Sequence, residues 1–477
     1  MGRCGQRLFD LLMKNCSIFG REDADAIGIK NGEISLIGKD PEEQSKHTRD
    51  LGGSWVLPGF VDGHTHLLTL GLEHLRTSLT ATRSKVEAIE LLKKATHTRR
   101  LVVAYKWDES KWKEKDYLRK GDLDFTSSPV VAYRRDGHMA TLNTAALRIV
   151  HREDANDGIL KESDLKLLEP LVEPDWAERL EALRIAFNVA LREGVTAVRD
   201  NVNRDTLQAY DALEKPLTVV RMIFSDELYA DYQQSPENWG VKTFLDGSIG
   251  SSTAAHLGWP GQNLRANKEE FQALCQRLWG TGIPVAAHAI GELATSVAVK
   301  TFALSSRTNS IEHFELVEEE TLDQLNASTT LLSCQPNFLE WALPGGMYEE
   351  RLGTEWLERN NNYRDFLKRG FKLGFGSDTM PLGPMYGIHY AVNSPYPRQR
   401  LSLEEAVTCY TSGSARLLGL DDTLGRIEVG LNADFAVFPP DLPDQVSSLK
   451  EIKPIATIVH GKVAYARPGG VLRLDRQ

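Results

Sequence analysis

Two histidines stand one residue apart in the segment GFVDGHTHLL, residues 59–68, directly after the apolar run WVLPGF. In a β-strand alternate side chains lie on the same face, so His64 and His66 can point at one place if the strand continues through them. Imidazole nitrogens are common ligands of divalent metal ions. The spacing therefore indicates a candidate metal site at the end of this strand.

Groups of similar chemistry follow apolar runs later in the chain. Lys242 lies in GVKTFLDGS, His288 in PVAAHAIGE, His313 in SIEHFE and Asp378 in LGFGSDTM. Imidazoles with a carboxylate form the ligand set that suits zinc and related divalent ions, and the sequence offers no site of soft thiolates.

Each of these residues also has a structural interpretation when it is taken alone. A single histidine at a strand end is more often a hydrogen-bonded structural residue than a ligand, and Asp378 after Gly-Ser could cap a helix. Lys242 could pair with Asp246 or point out of the fold. Imidazoles from three strand ends and a carboxylate from a fourth, however, would be a costly set of polar groups unless a ligand binds them. The pattern as a whole favours a metal site.

Eight short apolar runs carry these residues, and helical stretches separate most of them. Such alternation is typical of parallel strands joined by crossover helices, and barrels of this kind place their chemistry at the carboxyl ends of the strands. The candidate strands are VLPGFVD, VTAVRD, LTVVRMIF, VKTFLD, IPVAAHA, SIEHFE, TLLSCQP and FKLGFGSD. Apolar spacing predicts helices at WAERLEALRIAFNVALREG, RDTLQAYDALEK, KEEFQALCQRLWG, LATSVAVKTFAL and LEEAVTCYTSGSARLLG.

The predicted fold class is α/β, a (β/α)8 TIM-like barrel formed by residues 56–66 and 178–424. Residues 67–177 form a long insertion after the first strand, with the strand-like runs LVVAYKW and PVVAYRR, and are expected to act as a cap that shapes the substrate site. Residues 13–55 and 425–477 both consist of short strands punctuated by Gly and Asn. The two ends are therefore expected to pair into one small, discontinuous β-sandwich.

The composition limits the class of partner. Among 477 residues, 66 acidic and 56 basic side chains give a net charge of −10 without a basic block, which argues against a nucleic-acid surface and favours a small-molecule substrate. No apolar run approaches the roughly 20 residues that cross a bilayer, so no membrane association is expected. The five cysteines are scattered and form no CxxC pair, as expected for reduced thiols in a cytoplasmic protein.

The order of the motifs along the chain resembles a known family. PGFVDGHTH, VKTFLDGSIGSSTAAH, AAHAIGE, SIEHFELV, SCQPN, GFGSD and GRIEVGLNADF are similar to segments of the metal-dependent amidohydrolase superfamily. VKTFLDGSIGS and DGHMATLN in the insertion resemble its YtcJ-like branch, the amidohydrolase-3 type. The resemblance implies that His64 and His66 bind one metal ion, that His288 and His313 bind a second, and that Asp378 contacts the catalytic ion.

The resemblance further implies that Lys242 bridges the two ions. A lysine ammonium cannot ligate a cation, so Lys242 would have to react with CO₂ and become a carbamate whose two oxygens span both metals. Burial favours this modification because it lowers a lysine pKa. With an unmodified lysine a single ion is expected, so the expected cofactor is one or two divalent ions per chain, with zinc as the first candidate.

The implied activity is hydrolysis of an amide-type C–N bond, other than a peptide bond, in a small N-acyl or cyclic amide. A divalent cation lowers the pKa of bound water towards about 7 and polarises a carbonyl, so the nucleophile would be a metal-activated hydroxide. Asp378 would be the catalytic residue, accepting the proton of that water and returning it to the leaving amine. A homodimer is common among such enzymes.

His138, Tyr133, Trp107 and Gln335 are candidate substrate-binding residues. The three on the insertion could equally belong to the core of the cap. All four predictions depend on the packing of the insertion and of the loops at the strand ends.

Two positions depart from the pattern of the family, which usually has Asp at the position of Glu292 and often His at the position of Asn337. Both positions are expected near the pocket. Glu292 keeps an alternative open, a mononuclear deaminase of an amino-heterocycle, because those enzymes place a catalytic Glu close to the fifth-strand histidine. Lys242 argues against it. A scaffold protein that has lost its ligands is disfavoured because every ligand position is filled.

Overall fold

Eight parallel strands form the centre of the computed structural model, which describes residues 8–39, 41, 44–96, 101–228, 235, 237–259, 264–469 and 472. Each strand is hydrogen-bonded to the next in chain order, and we number them β1 to β8. They span Phe60–Thr65, Val195–Val202, Thr218–Phe224, Asn238–Phe244, Val285–Ala289, Asn309–His313, Thr330–Cys334 and Lys372–Phe375. Each lies within or next to one of the eight candidate runs, which confirms the predicted barrel class.

The barrel strands are buried on both faces. Every residue of β2, β5, β6 and β7 is buried, as expected for parallel strands whose inner face fills the barrel and whose outer face is covered by helices. The helix Trp176–Arg192 shows how the cover is built. It begins after Asp175, whose carboxylate accepts the Glu178 N–H, and it buries Ala182, Ala186 and Ala190 along one face.

The helices of the described residues vary widely in length. The α-helices span Leu67–Leu75, Lys85–Thr96, Lys120–Leu123, Thr144–Ile149, Glu169–Val172, Trp176–Arg192, Arg204–Asp211, Lys268–Gly280, Glu292–Phe302, Glu319–Gln324, Met347–Leu352, Tyr363–Lys368, Pro384–Asn393, Leu403–Thr408 and Ser414–Leu418. A π-helical turn at Cys409–Gly413 joins the last two into one segment. Among the described helices, none combines the length and apolar character needed to cross a membrane.

The barrel closes where β8 meets β1. The Asp378 N–H donates to the His64 carbonyl at 2.8 Å, and the Ser377 N–H donates to the Asp62 carboxylate at 2.8 Å. Gly376 allows this approach, because a Cβ at that position would lie 2.5 Å from the His64 nitrogen. The closure thus brings the first and the last candidate ligand segments side by side.

Two smaller sheets are built from the two ends of the chain. One has the strand order Glu33–Gly38, Ala26–Lys30, Phe9–Lys14, Ser45–Asp50, and the other has the order Ser17–Ile18, Trp55–Pro58, Phe435–Phe438, Ala456–Val459, Lys462–Ala466. Met13 and Ile27 belong to the same apolar cluster as Phe435 and Ile458. N-terminal and C-terminal strands therefore share one core. Trp55–Pro58 pairs with Phe435–Phe438 in the second of these sheets, so the barrel begins at Phe60 and not at residue 56 as predicted.

The insertion after β1 carries a five-stranded sheet, which we call the cap sheet. Its order is Ile159–Lys161, Met139–Leu142, Val130–Arg134, Val102–Trp107, Thr77–Ser78. Its strand Val102–Trp107 contains a β-bulge, because the pairing register shifts between Ala132 and Arg134 and leaves Tyr105 and Lys106 together opposite Tyr133. Lys106 adopts the left-handed backbone, with φ at +65°. A bulge of this kind changes which side chains share a face of the strand.

Candidate metal centre and active site

His64 and Asp378 lie at the closure of the barrel, and His66 lies beside them. His64 is in β1 and is buried, whereas His66 precedes the helix Leu67–Leu75 and keeps 29% of its side chain exposed. The Nε2 atoms of His64 and His66 lie 3.6 and 3.1 Å from the Asp378 Oδ1 atom. The two histidines of the HxH segment thus converge on one carboxylate.

His313 completes a group of three potential ligands. His64, His313 and Asp378 each offer one ligand atom, and these atoms all lie within 4.8 Å of one another. His313 ends β6 with φ at +75°, and Asp378 follows β8 with φ at +51°. Left-handed backbone at non-glycine residues is uncommon and concentrates at functional sites. The His313 Nδ1 atom is buried and has no hydrogen-bond partner among the described residues, which fits a ligand position.

Glu312 holds the His64 ring. The Glu312 Oε2 atom lies 2.5 Å from the His64 Nδ1 atom, and Arg199 donates to both Glu312 oxygens at 2.8 and 3.0 Å. A carboxylate at Nδ1 favours the tautomer that carries its proton there, which leaves the Nε2 lone pair for a ligand. Glu312 and Arg199 were not among the site residues predicted from the sequence. The available signal was a charged residue within each of two predicted barrel strands, VTAVRD and SIEHFE.

Lys242 is almost fully buried in β4, with its Nζ atom 3.4 Å from the His64 Nε2 atom. Burial lowers the pKa of Lys242 to about 8, although Glu312 and Asp378 raise it in part. An ion pair between Lys242 and Asp246 was one of the structural interpretations, but the Asp246 carboxylate has other partners. Asp246 instead accepts the backbone N–H groups of Ala255, Ile290 and Gly291.

His288 lies next to His313, with their ring centroids 4.4 Å apart. Its Nε2 atom lies 2.9 Å from the Gly247 carbonyl oxygen and 3.6 Å from the Asp246 Oδ1 atom. A proton on Nε2 satisfies the carbonyl, so Nδ1 is the nitrogen left with a lone pair. The loop after β4 therefore orients the histidine of β5.

The surroundings of His64, His288 and His313 favour the neutral imidazole, and those of Asp378 favour the ionised carboxylate. Burial lowers the pKa of His64 to about 4 and holds the pKa values of His288 and His313 well below the usual range. Burial raises the pKa of Asp378, but the hydrogen bond with His66 and the neighbouring His64 and His313 outweigh it and hold that pKa well below its usual range. These are the protonation states that metal ligands require.

A cavity of about 450 Å³ opens onto these residues from the cap. Of the four candidate substrate-binding residues, His138 and Tyr133 line it, whereas Trp107 and Gln335 are not among its lining residues. Trp107 lies in the core of the cap and its indole N–H donates to the Ala132 carbonyl, because the bulge at Lys106 turns it away. Gln335 is buried and its amide donates to the Ser333 carbonyl.

Glu292 and Asn337, the two departures from the family pattern, also lie outside the cavity lining. The Glu292 carboxylate is 2.8 Å from the His256 Nδ1 atom and accepts the Leu257 N–H. Asn337 donates to the carbonyl of Pro381 and accepts from the Tyr410 hydroxyl. Both side chains therefore hold loops together, and it is the nearby Ile290 and Phe338 that line the cavity.

Two cations of the cap reach the segment that carries Asp378. Lys106 donates to the Thr379 carbonyl at 2.5 Å and pairs with Glu73 at 2.7 Å, and Arg135 donates to the Met380 carbonyl at 3.1 Å. Lys106 and Arg135 also line the cavity. Neither residue was predicted from the sequence, and regular alternation along the strand would direct Lys106 towards the opposite face.

Comparison with known proteins identifies the family. The model of the Amidohydrolase family matches residues 47–465. The chain is 26% identical to the Bacillus subtilis protein YtcJ, across 93% of this chain and 96% of YtcJ. It is 23% identical to the N-substituted formamide deformylase of Arthrobacter pascens, across 94% of this chain and 96% of that enzyme.

A solved structure shares the fold as well. The crystal structure of an uncharacterized metal-dependent hydrolase from Pyrococcus furiosus superposes with a TM-score of 0.71 at 26% identity, covering 90% of this chain and 98% of that one. The family model spans the eight barrel strands, the insertion after β1 and three strands of the terminal sheets, Trp55–Pro58, Phe435–Phe438 and Ala456–Val459. The resemblance predicted from the motifs is confirmed, and the chain belongs to the amidohydrolase family.

Proposed function

We propose that this protein is a metal-dependent hydrolase that cleaves an amide-type C–N bond of a small N-acyl or cyclic amide. The observation that carries the proposal is the convergence of His64, His313 and Asp378 within 4.8 Å, beside the buried Lys242. The name of the deformylase relative supports an amide substrate.

The donor set fits one or two divalent cations, with zinc as the first candidate. His64, His66 and Asp378 would hold one ion, and His288 and His313 would hold a second. When bound, such a cation supplies a Lewis acid that polarises a carbonyl and lowers the pKa of a water molecule. Neutral imidazoles and an ionised carboxylate can bind it without first losing protons.

Lys242 contributes through its lowered pKa. A buried lysine with a pKa of about 8 is partly neutral near neutral pH, so its Nζ lone pair can attack the carbon of CO₂. The new N–C bond forms, one proton leaves, and the lysine becomes a carbamate. Its oxygens would then serve as ligands shared by two ions.

Asp378 carries the proton in the proposed reaction. Its carboxylate is ionised, is 11% exposed and faces the cavity that admits the substrate. It would accept a proton from the attacking water and give it to the nitrogen that leaves. His66, 3.1 Å from the Asp378 Oδ1 atom, keeps the carboxylate in place.

The deaminase alternative is less well supported than the amide hydrolase. It depended on Glu292 as a catalytic acid near His288, but this carboxylate is bound to His256 and Leu257 and does not line the cavity. Lys242 has no role in a site of that kind.

Metal content and turnover test the proposal together. We expect purified protein to contain one or two divalent ions per chain by plasma mass spectrometry, and His64→Ala or His66→Ala to lose both metal and hydrolysis of N-formyl amines. Asp378→Asn should keep metal but lose activity by about 10²-fold or more, since general acid–base catalysis is lost. Normal turnover in His64→Ala would refute the site. Reconstitution without bicarbonate should lower activity if Lys242 is a carbamate, and equal activity would leave the lysine unmodified.

A further inference from the structure

One side of the cavity is apolar, and this side indicates which substrates the proposed hydrolase could bind. Five of the side chains that line the cavity belong to one apolar cluster, and we call them the apolar wall: Leu68, Leu72, Tyr105, Tyr133 and Val172. The Tyr105 and Tyr133 rings stack with centroids 5.5 Å apart and planes 9° apart. Flat aromatic surfaces of this kind bind apolar and aromatic groups.

The apolar wall adjoins the metal centre. Leu68 is in the first turn of the helix that follows His66. Tyr105 precedes Lys106, whose ammonium donates to the carbonyl of Thr379, next to Asp378. A substrate whose amide group faces Asp378 would therefore place a substituent against the apolar wall.

The cations that line the cavity already have carboxylate partners. Outside Lys242 and the candidate histidine ligands, four lysine or arginine side chains line it: Lys106, Arg134, Arg135 and Arg265. Lys106 pairs with Glu73 at 2.7 Å, and Arg134 forms a two-pronged pair with Glu109 at 2.8 and 2.9 Å.

The other two cations also lie beside carboxylates, although the carboxylates nearest Arg135 are beyond hydrogen-bond distance and Glu340 is shared with Lys111. Arg135 lies 3.6 Å from Asp108 and 3.7 Å from Glu340, and Arg265 pairs with Glu162. A substrate carboxylate that enters this cavity would lose its hydration without finding a cation whose charge is still uncompensated, which is costly.

We infer that the substrate is an N-substituted amide whose substituent is aromatic or branched alkyl, carries no carboxylate and lies against the apolar wall. This inference rests on the proposed function, since it names the substrate class of the same site. It separates uncharged N-substituted amides from N-acyl amino acids, which contain the same bond.

A matched pair of compounds tests the inference. N-formylphenethylamine and N-formylphenylalanine differ only by the carboxylate beside the nitrogen. We expect the metal-loaded protein to hydrolyse the uncharged compound with a kcat/KM at least about tenfold higher, a modest discrimination for burying an uncompensated charge. Calorimetry on Asp378→Asn, which lacks the proposed proton carrier, should show the same order in Kd.

Variants of the apolar wall locate the contact. Tyr133→Ala should weaken binding of N-formylphenethylamine about tenfold, because an aromatic contact is lost. Tyr133→Phe keeps the ring and should behave like the wild type. If Tyr133→Ala does not fold, Leu68→Ala, whose side chain is only partly buried, provides the same comparison.

The outcomes distinguish this inference from the proposed function. Equal or tighter binding of N-formylphenylalanine, or no binding of either compound, would overturn the inference. Preferential binding of N-formylphenethylamine that is lost in Tyr133→Ala would support it. If that preference holds but the metal-loaded protein hydrolyses neither compound, the ligand class stands and the proposed hydrolytic function fails.

Discussion

Side-chain hydrogen bonds connect Arg199 to Glu312 and Glu312 to His64, so one carboxylate links a buried cation to a candidate ligand. Burial raises the pKa of Glu312, but Arg199 and His64 outweigh it and hold that pKa well below its usual range. A permanently charged carboxylate therefore faces the His64 Nδ1 atom. This orients the ring and increases the basicity of its Nε2 atom.

Glu312→Gln removes that charge with little change in shape. We expect the affinity for zinc to fall about 10- to 100-fold, as for other residues that orient metal ligands, in a titration against a chromophoric chelator. The fold should persist because Arg199 also donates to Gly63 and Ser310. The exposed Glu320→Gln is the matched control and should bind zinc like the wild type. Unchanged affinity in Glu312→Gln would mean that His64 needs no such support.

The candidate ligands could be predicted from the sequence because each stands at the end of an apolar run. Residues that hold a candidate ligand in place without being ligands themselves could not be predicted in this way. Glu312 precedes His313 in the same strand, and only the tertiary structure brings it to His64. Trp107 was predicted to belong either to the substrate site or to the core of the cap, and it lies in the core, on a strand whose bulge interrupts the regular alternation of side chains.

The bulge is the element that connects the cap to the barrel. It directs Lys106 to Glu73, in the helix after β1, and to Thr379, after β8. One cap side chain thus contacts both segments that meet at the barrel closure.

Lys106→Met should weaken this connection. The change leaves the buried Glu73 without its cation, so we expect a loss of about 3 kcal/mol in the free energy of unfolding by urea, together with lower kcat. Lys93→Met, which removes an exposed pair with Glu90, is the control and should cost less than about 1 kcal/mol. Adding Glu73→Gln to Lys106→Met should restore part of the stability. An unchanged stability in Lys106→Met would show that the cap is held by other contacts.

A second connection between cap and barrel is sensitive to acid. Burial raises the pKa of Asp136, but Arg134, His138 and the hydroxyls of Ser248 and Ser251 outweigh it and hold the pKa at about 2, below the ordinary 3.8. A lowered pKa stabilises the folded state above the unfolded value, and this stability is lost as pH falls from about 4 towards about 2.

Unfolding by urea as a function of pH tests this second connection. We expect the free energy of unfolding of the wild type to fall by about 2 kcal/mol between pH 4 and pH 2. Asp136→Asn should lack this contribution at every pH and should not show the fall. A variant with the same pH profile as the wild type would assign the acid sensitivity to other groups.

At the scale of the whole molecule, the terminal sheets and the barrel form one connected structure. Phe435 is fully buried between strands of both chain ends. Phe435→Ala should lower the free energy of unfolding by about 3 to 5 kcal/mol, as for other large core residues, whereas the exposed Val429→Ala should change it little. Calorimetry measures both. A small loss in Phe435→Ala would mean that the sandwich contributes little to stability.

The architecture was more predictable than the details of the site. The eight apolar runs and the similar composition of the two chain ends extend over many residues, so an irregularity at a single residue does not hide them. The bulge at Lys106, the left-handed His313 and the loop contacts of Glu292 depend on single backbone dihedrals or on distant partners. Neither periodicity nor residue type reports these features.

The pairing of the two chain ends and the closure between β1 and β8 have a consequence for synthesis on the ribosome. The Trp55 indole donates to the Pro440 carbonyl, a contact that spans 385 residues. At typical elongation rates, roughly 20 to 80 seconds pass between the synthesis of the strand Trp55–Pro58 and that of its C-terminal neighbours. During that interval the nascent chain exposes unpaired strand edges, and Asp378 is not yet present beside His64 for most of it. His64 and Asp378 would come together only late in translation, so chaperones that shield strand edges are most needed before that point.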